Sequence, residues 1–188
     1  MHFATFFTTI LAAGMASAAE VTEYNAVALR QGNKEIDHAA LQASNGHFAL
    51  KLKNQGAACD RGLTENKVTF NINKSGELNL YIFGRNPQVA YVDRSGMGQG
   101  VLGYATFGDK GLNFPKNAET KGWKVAKNGD LTFGGKGFIA CPNSKKAGGS
   151  YSIWADVGNK NPGGNQNCQA ITVRATENKN PVACVYSA

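Results

Sequence analysis

Past its first residues the chain alternates apolar and polar positions in short runs. Glycine and asparagine interrupt these runs every few residues, which is the grammar of strands and tight turns. The pattern predicts strands over Asn25 to Arg30, His47 to Leu52, Val68 to Asn73, Glu77 to Phe83, Val89 to Asp93 and Val101 to Phe107. It predicts more over Trp123 to Lys127, Asp130 to Phe133, Phe138 to Cys141, Tyr151 to Val157, Ile171 to Ala175 and Ala183 to Tyr186. Only Glu35 to Ala43 carries a spacing that also fits a helix.

Three strand–turn–strand units resemble one another, around Ser44-Asn45-Gly46-His47-Phe48, Lys74-Ser75-Gly76-Glu77-Leu78 and Lys127-Asn128-Gly129-Asp130-Leu131. Each puts Asn-Gly or Ser-Gly where a tight turn needs positive φ. The recurrence favours an all-β fold in a single compact domain, a β-trefoil-like barrel, with a two-sheet β-sandwich as the alternative. The turn glycines lie 30 and 53 residues apart, so the repeat is degenerate.

The first residues change the compartment. Phe3 to Met15 is an apolar run of signal-peptide length, followed by Ala16-Ser17-Ala18. That pattern predicts cleavage of residues 1–18 and a mature domain over 19–188. The run is shorter than the roughly 18 apolar residues a membrane span needs. The C-terminal residues lack the hydrophobic tail of a lipid-anchor signal, so no membrane anchor is expected.

Export makes the four cysteines candidates for two disulfides. Cys59, Cys141, Cys168 and Cys184 allow three connectivities. The favoured one joins Cys141 to Cys168, stapling the last third, and Cys59 to Cys184, tying the C-terminal tail to the body. No C-x-x-C spacing occurs, so neither a metal site nor a redox motif is expected. The net charge is +7, from 15 Lys and 5 Arg set against 13 acidic residues. The lysines are scattered, without an Arg-rich face interleaved with aromatics, so nucleic acid is not an expected partner.

Little catalytic chemistry is on offer. His38 and His47 are the histidines of the mature chain, and G-x-S-x-G, H-E-x-x-H and calcium-loop motifs are all missing. Asp60, Asp93 and Asp156 each end or follow an apolar strand, and two of them would suffice for a glycosidase. Strand-end Asp is also a routine turn residue. Asn73-Lys74-Ser75 is an N-glycosylation sequon at a turn. Trp123, Trp154, Tyr104 and Tyr151 would offer sugar platforms if exposed, but core positions suit them better, Trp123 and Trp154 above all. The most unusual segment is Asp93-Arg94-Ser95-Gly96-Met97-Gly98-Gln99-Gly100. A nucleotide loop would need a following helix, and here another β-like run follows. A constrained loop in which Asp93 and Arg94 pair or bond to backbone is the better reading, with a ligand site as its functional alternative.

Several blocks together resemble the PhiA cell-wall proteins of filamentous fungi. They are Cys59-Asp60-Arg61, Val92 to Gly100, Pro115-Lys116-Asn117, Gly122-Trp123, Ile139 to Ser144, Ser152 to Asp156, and Asn161-Pro162 with Cys168. The segment from Gly122 to Ile171 is also similar to the C-terminal domain of yeast PIR wall proteins. The Gln-rich repeat through which those proteins attach is missing here, so non-covalent or disulfide retention is expected. The resemblance implies a secreted, non-enzymatic cell-wall protein supporting phialide and conidium development and wall integrity, with allergens among its relatives. It implies no cofactor and no catalytic residues. Its partners would be wall polysaccharide, glucan or chitin, and other wall proteins. A carbohydrate-binding module is the second reading and a small glycan hydrolase the least favoured.

Overall fold

The computed structural model describes residues 21–188, so the expected leader and its cleavage site lie outside the described residues. The strands are β1 (Glu23–Leu29), β2 (Leu41–Ser44), β3 (His47–Leu50), β4 (Ala58–Cys59), β5 (Phe70–Ile72), β6 (Leu78–Leu80), β7 (Gln88–Asp93) and β8 (Val101–Gly108). They continue as β9 (Gly111–Leu112), β10 (Trp123–Val125), β11 (Asp130–Phe133), β12 (Phe138–Pro142), β13 (Tyr151–Ala155), β14 (Gln169–Glu177) and β15 (Cys184–Val185). Two three-residue 3-10 turns, Asp60–Gly62 and Pro162–Gly164, are the helical elements among the described residues.

The sheet closes on itself. Its order runs β1-β5-β6-β7-β8-β3-β13-β12-β14, and β14 pairs back onto β1 from Leu29↔Thr172 to Tyr24↔Glu177. The result is a nine-stranded antiparallel barrel rather than two facing sheets. Closure removes the open edges that would otherwise invite pairing between molecules. Strand β2 folds back on β3, β9 on β8, and the β10–β11 hairpin extends from β14. A separate ribbon pairs β15 with β4.

Alternation along each strand decides what faces inward. In β13, Tyr151, Ile153 and Ala155 are buried while Ser152 and Trp154 are partly exposed. In β14, Ile171, Val173 and Ala175 point to the core. Phe48, Leu78, Leu102, Phe138 and Ile153 meet inside and leave a void of only ≈ 10 Å³. That is about the volume one water needs. The barrel is therefore a packed core, and any ligand must bind on its outer surface.

The three turn units all form hairpins: β2–β3, β5–β6 and β10–β11. At Asn45-Gly46 both residues have positive φ, 50° and 71°, as a two-residue hairpin turn requires. The glycine carbonyls share a task as well. Gly46 accepts the Tyr104 N–H, Gly76 those of Gly122 and Trp123, and Gly129 that of Ala175.

Two expectations need correcting. Glu35 to Ala43 is not helical; it is a turn leading into β2. Its backbone is claimed by β1, with Ala28 donating to Ala39 O and His38 donating to Ala28 O, while Ile36 is fully buried. Long-range pairing overrides local propensity here. Trp154, placed in the core by its strand pattern, is only half-buried on the outer face of β13.

Disulfides join Cys59 to Cys184 and Cys141 to Cys168. The first fixes the β4–β15 ribbon. Beyond it the tail enters the barrel, where Tyr186 is 2 % exposed and the Ser187 carbonyl accepts the Gly46 N–H and the Tyr104 hydroxyl.

Candidate functional site

The segment Asp93 to Gly100 is the connection between β7 and β8, and it is held at every turn. Asp93 Oδ1 accepts the Ser95 N–H at 2.9 Å, and Ser95 Oγ accepts the Gly98 N–H at 3.1 Å. The Asp93 carbonyl takes the Gly100 N–H at 2.8 Å. A side chain at Gly98 would collide with the Asp93 carboxylate. One at Gly100, which has φ +92°, would collide with the Ala155 carbonyl. Gln99 Oε1 accepts from Asn159 Nδ2 and from the Gly163 N–H, both at 2.9 Å, so the loop is stitched to the segment after β13. Met97, between two glycines at the tip, is 92 % exposed.

Arg94 does not pair with Asp93. Its guanidinium forks onto Glu119, with Nε 2.8 Å from Oε1 and Nη2 on Oε2, and its Cζ lies 5.4 Å from the Phe133 ring centroid. Glu119 is fixed in turn by its backbone, which exchanges two hydrogen bonds with Val92. Bidentate pairing holds the Glu119 carboxyl below the usual range and raises the Arg94 guanidinium. Arg94 thus bridges Glu119 and the end of β11 at Phe133.

Beside this bridge lies an open groove of ≈ 1010 Å³, lined by Arg94, Ser95, Lys116, Asn117, Glu119, Lys136 and Asp156, with Phe133 and Ala155 beneath. Sequence reasoning missed Glu119 and Lys136. Neither belongs to a recognisable motif: Glu119 is brought to Arg94 by its backbone bridge to Val92, and Lys136 by the turn that follows Phe133. The blocks Val92 to Gly100, Pro115 to Asn117 and Ser152 to Asp156, far apart in the chain, meet at this groove.

The remaining candidates fall elsewhere or serve the fold. Asp60 lies beside Arg61 after β4, and Asp156 Oδ1 accepts the Gly158 N–H at 2.9 Å. Of the three aspartates only Asp156 lines the groove. Trp123, Tyr104 and Tyr151 are buried, at 3 %, 3 % and 7 % exposure, and present no ring face to a sugar. Trp154 donates its Nε1–H to Ser152 Oγ. Among the described residues no group of three or more His, Cys, Asp or Glu side chains is placed to hold a metal. Asn73 is exposed on the β5–β6 turn, where its Oδ1 accepts the Ser75 hydroxyl at 2.7 Å.

Residues 24–187 match the family model described as PhiA-like secreted protein. Among curated proteins the chain is similar to the cell wall protein phiA of Emericella nidulans, 41% identical over 95% of this chain and 94% of the relative. It is 40% identical to the Aspergillus niger protein of that name, over 95% of this chain and 96% of the relative. The Aspergillus fumigatus protein is 38% identical over the full length of both. No solved structure matches the chain significantly.

Proposed function

The chain belongs to the PhiA-like secreted protein family, and from that membership we propose that it is a non-enzymatic structural protein of a fungal cell wall. It supports phialide and conidium formation by packing against glucan or chitin and against other wall proteins. The observation that carries this reading is similarity along the whole chain to relatives named cell wall protein phiA. Residues 1–18 act as a leader, and Asn73 is glycosylated on export.

Physical features agree with it. Both disulfides are internal and use all four cysteines, so no thiol is left for a disulfide to the wall, which favours non-covalent attachment. The groove carboxylates are committed to structure. Glu119 is neutralised by Arg94, and Asp156 accepts a backbone N–H. A glycosidase instead needs one carboxyl held protonated opposite a free carboxylate.

Fractionation of the source fungus tests the reading. The protein is expected in the wall fraction and released by salt or denaturant without enzymatic digestion of the wall. Deletion of the gene is expected to reduce conidium formation. Confinement to the cytoplasm would sink the proposal.

The groove favours one second reading, a module that binds wall carbohydrate on the face shared by Arg94, Asn117 and Lys136.

A further inference from the structure

Resting on the wall-protein reading, we propose that the groove beside the β7–β8 loop binds an anionic glycan, a sugar chain bearing carboxylate or phosphate groups. Lys116 and Lys136 are its two cationic contacts.

Size comes first. At ≈ 1010 Å³ the groove sits at the upper end of ordinary ligand sites, with room for several sugar units. Charge then narrows the class. Arg94 and Glu119 neutralise one another across the groove wall. Among the described residues neither Lys116 nor Lys136 is in an ion pair, which leaves two free cations facing the Asp156 carboxylate of the lining, with the Asp93 carboxylate behind the wall held by the Ser95 N–H. Both lysines are presented from anchored backbone: Lys136 exchanges two backbone hydrogen bonds with Phe133, and Lys116 lies in the turn closed by the Ala118 N–H on the Pro115 carbonyl, next to Glu119. Asn117 and Ser95 add neutral donors and acceptors for sugar hydroxyls.

A neutral glycan is recognised differently, by stacking on an exposed aromatic face. The ring beneath this groove, Phe133, is 2 % exposed and has Arg94 over it, so that platform is missing. Ionic capture is what the groove has left to offer. The net charge of +7 draws polyanions toward the surface, and the pinned loop loses little freedom when one binds.

Calorimetric titration of the oxidised, secreted protein with short oligogalacturonates and with phosphomannan fragments tests this. Chito-oligosaccharides and laminari-oligosaccharides serve as neutral controls, and duplex DNA as a non-glycan polyanion. One or both anionic glycans are expected to bind, the two arms telling carboxylate from phosphate. Lys116→Gln and Lys136→Gln are each expected to weaken binding by about tenfold, the effect of one lost charge-assisted contact. Lys53→Gln and Lys145→Gln, outside the groove, are expected to leave it unchanged, with melting temperatures alike across all four variants. Equal binding of DNA, equal effects of all four lysines, or binding to the neutral sugars alone would each overturn the proposal. If walls still retain the protein while anionic glycans do not bind, this inference fails and the wall-protein reading stands.

Discussion

The side-chain amide of Gln88 grips the Tyr186 peptide from both sides, Oε1 accepting its N–H at 2.9 Å and Nε2 donating to its carbonyl at 2.7 Å. Gln88 is fully buried, so a side chain in β7 does what a neighbouring strand would do for the C-terminal tail. Gln88→Leu keeps the apolar bulk but leaves two buried backbone groups unpaired. The expected cost is about 2–5 kcal/mol, lowering the melting temperature by roughly 5–15 °C. Thermal unfolding measures it, and a shift under about 2 °C would contradict the role given to Gln88.

The two disulfides are expected to contribute unequally. Cys59 and Cys184 are 125 residues apart, whereas Cys141 and Cys168 are 27 apart. Loop-closure entropy makes the longer link worth about 1.4 kcal/mol more. Denaturant melts of the Cys59→Ser/Cys184→Ser and Cys141→Ser/Cys168→Ser variants compare them directly, and the first is expected to be the less stable.

High pH is expected to attack the tail. Burial pushes the Tyr104 and Tyr186 phenols up to about 12 from an ordinary 10.0. As pH rises the unfolded chain therefore loses these protons first, so the folded state is progressively disfavoured between about pH 10 and 12. Each phenol removes on the order of 2–3 kcal/mol across that window. Urea melts along a pH series should show the fall, and tyrosinate absorbance of the folded protein should show Tyr104 and Tyr186 as the last phenols to titrate. A stability that stays flat across the window speaks against the buried tail.

The β7–β8 loop offers a matched pair of substitutions. Gly96→Ala meets nothing within 4 Å and is expected to change stability by under about 0.5 kcal/mol. Gly100→Ala forces a Cβ against the Ala155 carbonyl at φ +92° and is expected to cost about 2–4 kcal/mol. Similar melting temperatures for the two would mean that the loop is not pinned to β13 as described.

Much of the fold was legible because strands advertise themselves locally. Asp130 to Phe133 coincides with β11, and Val101 to Phe107 falls one residue short of β8. Segments whose outcome depends on distant partners were harder. Glu35 to Ala43 has helix-compatible spacing, and only β1 and β3 draw it into a turn and a strand. The rigid character of Asp93 to Gly100 could be read from its glycines. The partner of Arg94 could not, because Glu119 lies in an irregular segment whose position is set by two hydrogen bonds to Val92. Lys136 lies in the turn between β11 and β12, which both pair with β14, and its place at the groove follows from that long-range pairing, which no local pattern records.

A non-enzymatic wall protein of this kind is expected to hold to the wall without cutting it. Incubating the purified, oxidised protein with isolated wall, chitin and β-1,3-glucan, while assaying reducing sugar in the supernatant, tests both halves at once. The account predicts retention on intact wall and no sugar released above a heat-denatured control. Sustained sugar release that Asp156→Asn or Glu119→Gln abolishes would contradict it and make the groove a catalytic site.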